Sequence, residues 1–264
     1  MNFRLLVSIL IANYFVLSAM ETPLPEEVER VLQQVQLLCK PQLKHKVEGY
    51  LSLPPQPVWL EREAFEHVRK VCINPKYAPI LQELLKEKNG MRILDPNSFC
   101  LLENGRIFRL INEVVFHKAY SNVQILLEAG ADPNNEACNA EEHFSFKESP
   151  LYTSVDSNDL ELLESLLKGH ADPNKHYEIY DNLPLVRAVV NYVEADDKGK
   201  DMTKTFSIIS ILLSYRASPD EKQKIANYNH KDKADLKKYY TARELAQACN
   251  ATEILNLFDK QRLL

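Results

Sequence analysis

Side chains that could perform acid–base or nucleophilic chemistry lie close together between residues 138 and 143. Two glutamates, one of them Glu142, precede His143, and Cys138 lies shortly before them. A catalytic pair needs a fixed geometry and a third group that orients the base. A loop that also contains Phe144 and Phe146 supplies neither, so we interpret this segment as a loop patch and Cys138 as an ordinary thiol.

The sequence contains no recognisable metal-binding, nucleotide-binding or hydrolase motif. None of the seven histidines forms an HExxH or HxxxH pair, and none of the five cysteines forms a CxxC pair, although zinc sites usually have such spacings. The GxSxG, Walker and dinucleotide-binding motifs are absent too. Only 6 of the 264 residues are glycine, which disfavours a glycine-lined cofactor loop. We therefore expect no catalytic residue, no metal and no cofactor.

The charge pattern argues against a nucleic-acid partner. The formal net charge is −5 at pH 7, whereas proteins that bind nucleic-acid phosphates present a basic surface. The densest lysine stretch, residues 222–240, is interleaved with Asp and Glu, so we interpret it as a solvated loop. The composition, 45% hydrophobic and 26% charged, is that of a globular protein with a core.

Residues 1–19 have the pattern of a secretory signal peptide. One positive charge, Arg4, precedes an apolar run from Leu5 to Leu17, and Ala19 is a small residue suited to a cleavage point. The run is shorter than the about 20 residues that span a membrane. The pattern predicts export to the periplasm, the cell surface or the medium. The alternatives are an uncleaved membrane anchor and an apolar first helix of a cytoplasmic protein.

Two short patterns occur repeatedly in the C-terminal half and indicate a repeat protein. The string LLEAGADPN at 126–134 returns as LLKGHADPN at 166–174 and, more weakly, as LLSYRASPD at 212–220. The string SPLYTS at 149–154 returns as LPLVRA at 183–188 and TARELA at 241–246. The second pattern can cap and begin a helix, and the first ends a leucine-rich helix, so each copy predicts a helix pair.

These copies resemble ankyrin repeats, whose consensus begins T-P-L-H-x-A. The resemblance covers residues 105–260 and implies an all-α solenoid of three fuller repeats and a partial C-terminal capping repeat. It also implies a non-enzymatic protein that binds another protein through its concave face and finger loops, without a small-molecule substrate. We expect a monomer. In the capping repeat, the side chains that should face solvent are Glu244, Gln247, Asn250, Glu253 and Asn256.

The copies are spaced more widely than the ankyrin consensus, so we expect insertions. Ala131 and Ala171 are 40 residues apart, and Ala171 and Ala217 are 46 apart, against about 33 in the consensus. We place the first insertion in a finger loop at 135–147. Most of the second falls in the charged stretch 194–201, which we expect to form a loop between the two helices of its copy.

The end of each copy predicts a residue with left-handed backbone. Gly130 occupies this place in the first copy, where it can satisfy leftover helix carbonyls without strain. His170 and Arg216 occupy it in the later copies. We expect both to adopt positive φ at a cost of about 1 kcal/mol each.

Protruding loops with aromatic side chains make good anchors for a partner protein. We therefore predict that the partner contacts the first insertion and two residues near the second. These residues are Glu142, His143, Phe144, Phe146, Arg187 and Tyr192.

Residues 20–104 contain no repeat that we identify from the sequence. Apolar residues at helical spacing predict one helix within 24–50, and two more are expected near 61–72 and 77–88. We interpret this region as a helical cap that covers the first repeat. Two alternatives remain. The LPEEV string at 24–28 is similar to the start of an F-box adaptor, or the region holds an active site and the repeats act as a targeting arm.

Overall fold

The computed structural model describes residues 60, 62–87, 94–101, 106–135, 138–139, 149–175, 183–222 and 241–261. The predicted signal peptide at 1–19 lies outside these ranges, as do the predicted contact residues Glu142, His143, Phe144 and Phe146. Within the described ranges the chain is mostly helical, so the all-α prediction is confirmed. No helix in these ranges is long and apolar enough to cross a bilayer.

Ten α-helices of the described residues follow one another as five pairs. They are α1 (Arg62–Ile73) and α2 (Ala78–Leu85), α3 (Leu110–Phe116) and α4 (Tyr120–Glu128), α5 (Pro150–Asp156) and α6 (Leu160–Lys168), α7 (Pro184–Asp197) and α8 (Thr203–Ser214), and α9 (Ala242–Ala248) and α10 (Thr252–Gln261). A 3-10 turn at Pro75–Tyr77 joins α1 to α2. The first helix of each pair contacts the first helix of the next, and the second helices do the same. The pairs therefore lie side by side.

A short antiparallel sheet is built from the connections that follow the first two pairs. Strand β1 (Phe99–Leu101) pairs with β2 (Arg106–Arg109), and β2 pairs with β3 (Cys138–Asn139). These strands are not predicted from the sequence, because runs of two to four residues are too short to show an alternating pattern.

The third and fifth pairs begin with the side-chain caps that their motifs predict. The hydroxyl of Ser149 accepts a 2.9 Å hydrogen bond from the backbone N–H of Tyr152. The hydroxyl of Thr241 accepts one of 3.0 Å from the N–H of Glu244. Both contacts satisfy a donor that the first turn of a helix leaves without an intrahelical partner. The small side chains that let adjacent first helices approach are fully buried, namely Ser154, Ala188 and Ala246.

A single apolar core runs through all five pairs, from Leu60 to Phe258. In α6, the leucine stripe that the sequence predicts is buried, with Leu162, Leu163 and Leu166 at 0% exposure. Each pair thus shields an apolar side that a single pair would leave in water. At the far end, the five polar residues expected to face solvent are all exposed, namely Glu244, Gln247, Asn250, Glu253 and Asn256.

The left-handed residues occur where the sequence predicts them. The φ angles are +94° at Gly130, +69° at His170 and +65° at Arg216. A second set of positive-φ residues lies between the two helices of a pair, for example Asn158 at +55°. Except at Gly130, each of these turns therefore depends on one residue in a conformation that L side chains adopt at a cost.

The predicted loop at 194–201 is only partly a loop, and for residues 194–197 the prediction is wrong. Helix α7 has 14 residues, twice the length of α5, and extends through Asp197. The ammonium of Lys198 donates to the carboxylate of Glu194 one helical turn earlier, at 3.2 Å, and such pairs stabilise exposed helices. Gly199, with φ of +59°, then reverses the chain.

A further turn of the same kind, which the sequence did not predict, lies before residue 105, at 94–97. The backbone N–H of Leu94 donates to the carbonyl of Leu84 at 2.9 Å, as the N–H of Ala131 does to Leu126 at 2.9 Å. Asp95 accepts from the N–H of Asn97, as the aspartates of the later turns do. Residues 84–85 and 94–97 therefore share these turn contacts with the later pairs.

Asparagine side chains connect each of these turns to the next. Each amide donates through Nδ2 to the carbonyl of the left-handed residue in the next turn, and its Oδ1 accepts from a backbone N–H two residues beyond it. The distances are 2.7 to 3.2 Å. We call this set the turn ladder; it consists of Asn97 with Gly130 and Asp132, Asn134 with His170 and Asp172, and Asn174 with Arg216 and Ser218.

The ladder ends where Asp220 replaces asparagine. Its carboxylate accepts a 2.6 Å hydrogen bond from Nε of Arg243, whose Nη1 donates to Asp259 at 2.8 Å. The side chain of Gln261 donates to the carbonyl of Leu213 at 2.7 Å, close to the end of α8. The last pair is thus attached by charged and amide groups in addition to its apolar side chains.

Candidate functional site

The described residues hold no cluster suited to metal or thiol chemistry. No group of three or more His, Cys, Asp or Glu side chains among them could hold a metal ion. Cys72 and Cys100 are buried. Burial raises the pKa of the Cys100 thiol to about 11, with a smaller contribution from Glu66. This thiol therefore stays protonated, and so unreactive, at neutral pH.

One aromatic side chain, Phe116, is exposed at the end of α3. Its exposure is 63%, whereas four other apolar residues of α3 are at most 2% exposed, namely Leu110, Ile111, Val114 and Val115. The imidazole of His117 packs edge-on against the Phe116 ring, with centroids 5.3 Å apart and planes at 84°. An exposed ring that is held by a neighbouring ring can serve as an anchor for another molecule.

A polar cluster beside Phe116 joins the first pair to the second. The guanidinium of Arg69 donates from Nε to the carboxylate of Glu113 and from Nη2 to Nε2 of His117 at 3.1 Å. Its Nη1 lies 3.6 Å from the carboxylate of Glu66. The hydrogen bond to Glu113 is the main cause that raises the pKa of Arg69. The cluster therefore fixes the surroundings of Phe116.

A second polar group joins the next two pairs. The carboxylate of Asp159, 10% exposed, accepts a 2.8 Å hydrogen bond from the hydroxyl of Tyr120, and the ammonium of Lys118 lies 3.5 Å away. The same side chain caps α6 by accepting from the N–H of Leu162 at 3.3 Å. The hydrogen bond to Asp159 is the main cause that raises the pKa of Tyr120. Tyr120, Lys118 and Asp159 therefore stabilise the packing of the second helix pair against the third.

Arg187, a predicted contact residue, lies on α7 and pairs with the third pair. Its Nε donates to the carboxylate of Asp156 at 2.5 Å, and its side chain is 31% exposed. Burial is the largest single influence on the pKa of Arg187 and lowers it. The pKa is nevertheless raised, because Tyr152, Asp156 and Glu194 together favour the charged form. Arg187 thus contributes a charged side chain to the surface that the first helices form.

Tyr192, the other predicted contact residue in the described ranges, is only 6% exposed. Its hydroxyl donates to the carboxylate of Glu253 at 3.1 Å. Burial is the main cause that raises its pKa, followed by this hydrogen bond. Tyr192 joins the fourth pair to the fifth and leaves little surface for a partner.

Arg187 lies on the row of first helices. The same row carries Phe116, which was not among the contact residues predicted from the sequence. A signal for Phe116 existed in the sequence. Leu110, Ile111, Val114 and Val115 complete the apolar stripe of α3, and Phe116 falls outside it. An aromatic residue off the buried stripe of a short helix is a candidate for contact with another molecule.

The sequence matches no known family model, and no curated protein matches it.

Proposed function

We propose that this chain is a non-enzymatic protein-binding module, built as an ankyrin-type solenoid that binds another protein along its first helices and finger loops. The observation that carries the proposal is the turn ladder, because it repeats one set of hydrogen bonds between consecutive helix pairs. An array in which each unit contacts its neighbours presents an extended surface instead of a closed pocket. Such a surface is suited to a macromolecular partner.

Phe116 supports the placement of this surface on the first helices. Binding energy at protein interfaces is concentrated in a few aromatic and arginine side chains that lose water on association. Phe116 already exposes 63% of its surface. Arg69 and Arg187 lie on the same row of helices, and both are held by ion pairs with carboxylates. Because these ion pairs already occupy the guanidinium groups, the two arginines would orient the partner and add little to the binding free energy.

The loop residues Glu142, His143, Phe144 and Phe146 remain part of the proposal as contacts from the first finger insertion. We assign Tyr192 to the joint between the fourth and fifth pairs instead, because its hydroxyl is bonded to Glu253. Export through residues 1–19 belongs to the same proposal, so the partner would be met outside the cytoplasm. The alternative of an enzyme or F-box-like adaptor within residues 20–104 has no specific observation in its favour among the described residues of that region, which are 60, 62–87 and 94–101.

Partner capture followed by affinity measurement tests this proposal. Cross-linking of the immobilised full chain with mass spectrometry identifies the partner, and its Kd is then measured for variants. Phe116→Ser and the double variant Phe144→Ala/Phe146→Ala should each bind at least about tenfold more weakly, about 1.4 kcal/mol, with unchanged Tm. Asn256→Ala, an exposed position on α10, is the matched control. Wild-type affinity in both aromatic variants would contradict the proposal.

A further inference from the structure

Two exposed side chains, His170 and Arg216, occupy backbone positions that favour glycine. Their φ angles are +69° and +65°, and the equivalent residue of the preceding turn is Gly130. A side chain in this conformation carries strain that glycine avoids. Both side chains are exposed, so neither gains packing that would offset the strain.

The turn ladder places these two residues on adjacent levels of the array. Asn134 holds the carbonyl of His170, and Asn174, four residues after His170, holds the carbonyl of Arg216. Because the two residues occupy equivalent positions in successive turns, their side chains project from the same edge of the molecule.

Lys168 and Tyr215 extend this edge. Lys168 is 66% exposed and donates to the carboxylate of Glu164 at 2.9 Å. The pKa of Lys168 is raised, chiefly by that hydrogen bond. Tyr215 directly precedes Arg216 in the chain. Tyr215 is 39% exposed and, with Phe116, is one of two exposed large apolar residues in the described ranges. We call Lys168, His170, Tyr215 and Arg216 the turn-edge patch.

The charge of Arg216 is not neutralised within the patch. Among the described residues it forms no ion pair, whereas Lys168 shares its charge with Glu164. The nearby carboxylate of Asp172 accepts from the backbone N–H of Asn174 at 2.8 Å and is held by its own turn. A guanidinium presented in this way can form two parallel hydrogen bonds with a carboxylate.

We infer that the turn-edge patch binds an acidic segment of a partner protein. Strained residues that persist at an exposed position, where glycine would be more stable, mark a site at which the side chain is used. The side chains used here are cationic or imidazole-bearing, and an exposed tyrosine lies beside them. A nucleic acid fits less well, because phosphate backbones are bound through several free cations, whereas Lys168 is already paired with Glu164. Arg216 alone is enough to bind one carboxylate through two parallel hydrogen bonds. The inference rests on the proposed protein-binding role and adds a second surface, on the turns.

A peptide titration with the full chain tests the patch. The probe is fluorescein-labelled hexaglutamate, and fluorescence anisotropy gives the Kd in low salt. The double variant His170→Gly/Arg216→Gly should bind about tenfold more weakly than wild type, as expected when a carboxylate loses its guanidinium. Its Tm should rise, because glycine relieves the strain at both turns. Lys204→Gln, an exposed lysine at the start of α8, is the control and should bind as wild type does.

Three outcomes would overturn the inference: equal binding of hexaglutamate by wild type and the double variant, equally tight binding of hexalysine, or tighter binding of an oligothymidylate. Phe116→Ser should retain wild-type affinity for hexaglutamate. Hexaglutamate binding thus reports on the turn-edge patch alone. Binding of the partner protein by Phe116→Ser reports separately on the surface formed by the first helices.

Discussion

Asn134 and Asp172, which belong to consecutive turns, are joined by a 2.7 Å hydrogen bond from the backbone N–H of Asp172 to Oδ1 of Asn134. The same side chain donates to the carbonyl of His170 at 3.2 Å. One amide thus satisfies both a donor and an acceptor of the next turn. This contact fixes the spacing between helix pairs independently of the apolar core.

Replacement of Asn134 by alanine should weaken the coupling between its pair and the next. We expect Asn134→Ala to lower the free energy of unfolding by about 1 to 2 kcal/mol, because two hydrogen bonds of about 1 kcal/mol each are lost. Urea denaturation followed by circular dichroism measures this. Asn256→Ala, on the exposed side of α10, should change stability by less than about 0.5 kcal/mol. Equal losses in the two variants would argue against the ladder.

Glycine at position 170 should stabilise the protein. We expect His170→Gly to raise the free energy of unfolding by about 0.5 to 1 kcal/mol, because the relieved strain exceeds the extra freedom of glycine in the unfolded chain. His170→Ala retains a Cβ and should give no such gain. The two variants are compared by thermal and urea denaturation. A gain in neither variant would contradict the strain that φ of +69° implies.

Arg243 should hold the last helix pair in place. Its guanidinium contacts Asp220 and Asp259, and it lies 5.5 Å from the centroid of the Phe258 ring. Because both carboxylates are exposed, we expect Arg243→Gln to cost only about 1 kcal/mol. The loss should be local, with faster amide exchange confined to residues 241–261. Lys260→Gln is the control, and uniform acceleration along the whole chain would contradict a local role.

Cys72, Cys100 and Cys249 should differ in reactivity. Cys249 is half-buried, whereas Cys72 and Cys100 are buried. Burial raises the pKa of both buried thiols, that of Cys100 to about 11, so little thiolate is present at pH 7.5. Iodoacetamide should therefore modify Cys249 before Cys72 and Cys100 under native conditions, as peptide mass spectrometry would show. Equal rates at Cys72 and Cys249 would indicate that the core of the first pair is loosely packed.

Local signals in the sequence predicted the parts of the fold that depend on local chemistry. The cap at Ser149 and the left-handed conformation of His170 follow from the residue types at those positions and from the motifs around them. The turn at 94–97 escaped notice because Leu94 replaces the alanine of the other copies. In addition, several residues separate this turn from α2, whereas the later turns follow their helices directly.

The remaining differences depend on contacts between distant parts of the chain. Tyr192 has the residue type of a good interface anchor, but the fifth pair buries it through Glu253, 61 residues away. Three of the four residues 194–197 are acidic, and the segment has no apolar stripe. It nevertheless continues α7, because the helix is already formed and is supported by the Glu194 and Lys198 pair. Burial by a distant element cannot be inferred from local periodicity.

Amide hydrogen exchange of the ladder residues tests the array of joined pairs most directly. The N–H groups of Asp132, Asp172 and Ser218 lie in turns, and Asp132 and Asp172 are exposed, so without the asparagine contacts these groups would exchange rapidly. We predict that all three are protected in the wild-type chain, and that Asn134→Ala removes the protection of Asp172 while Asp132 keeps its own. Rapid exchange of all three in the wild type would contradict the account.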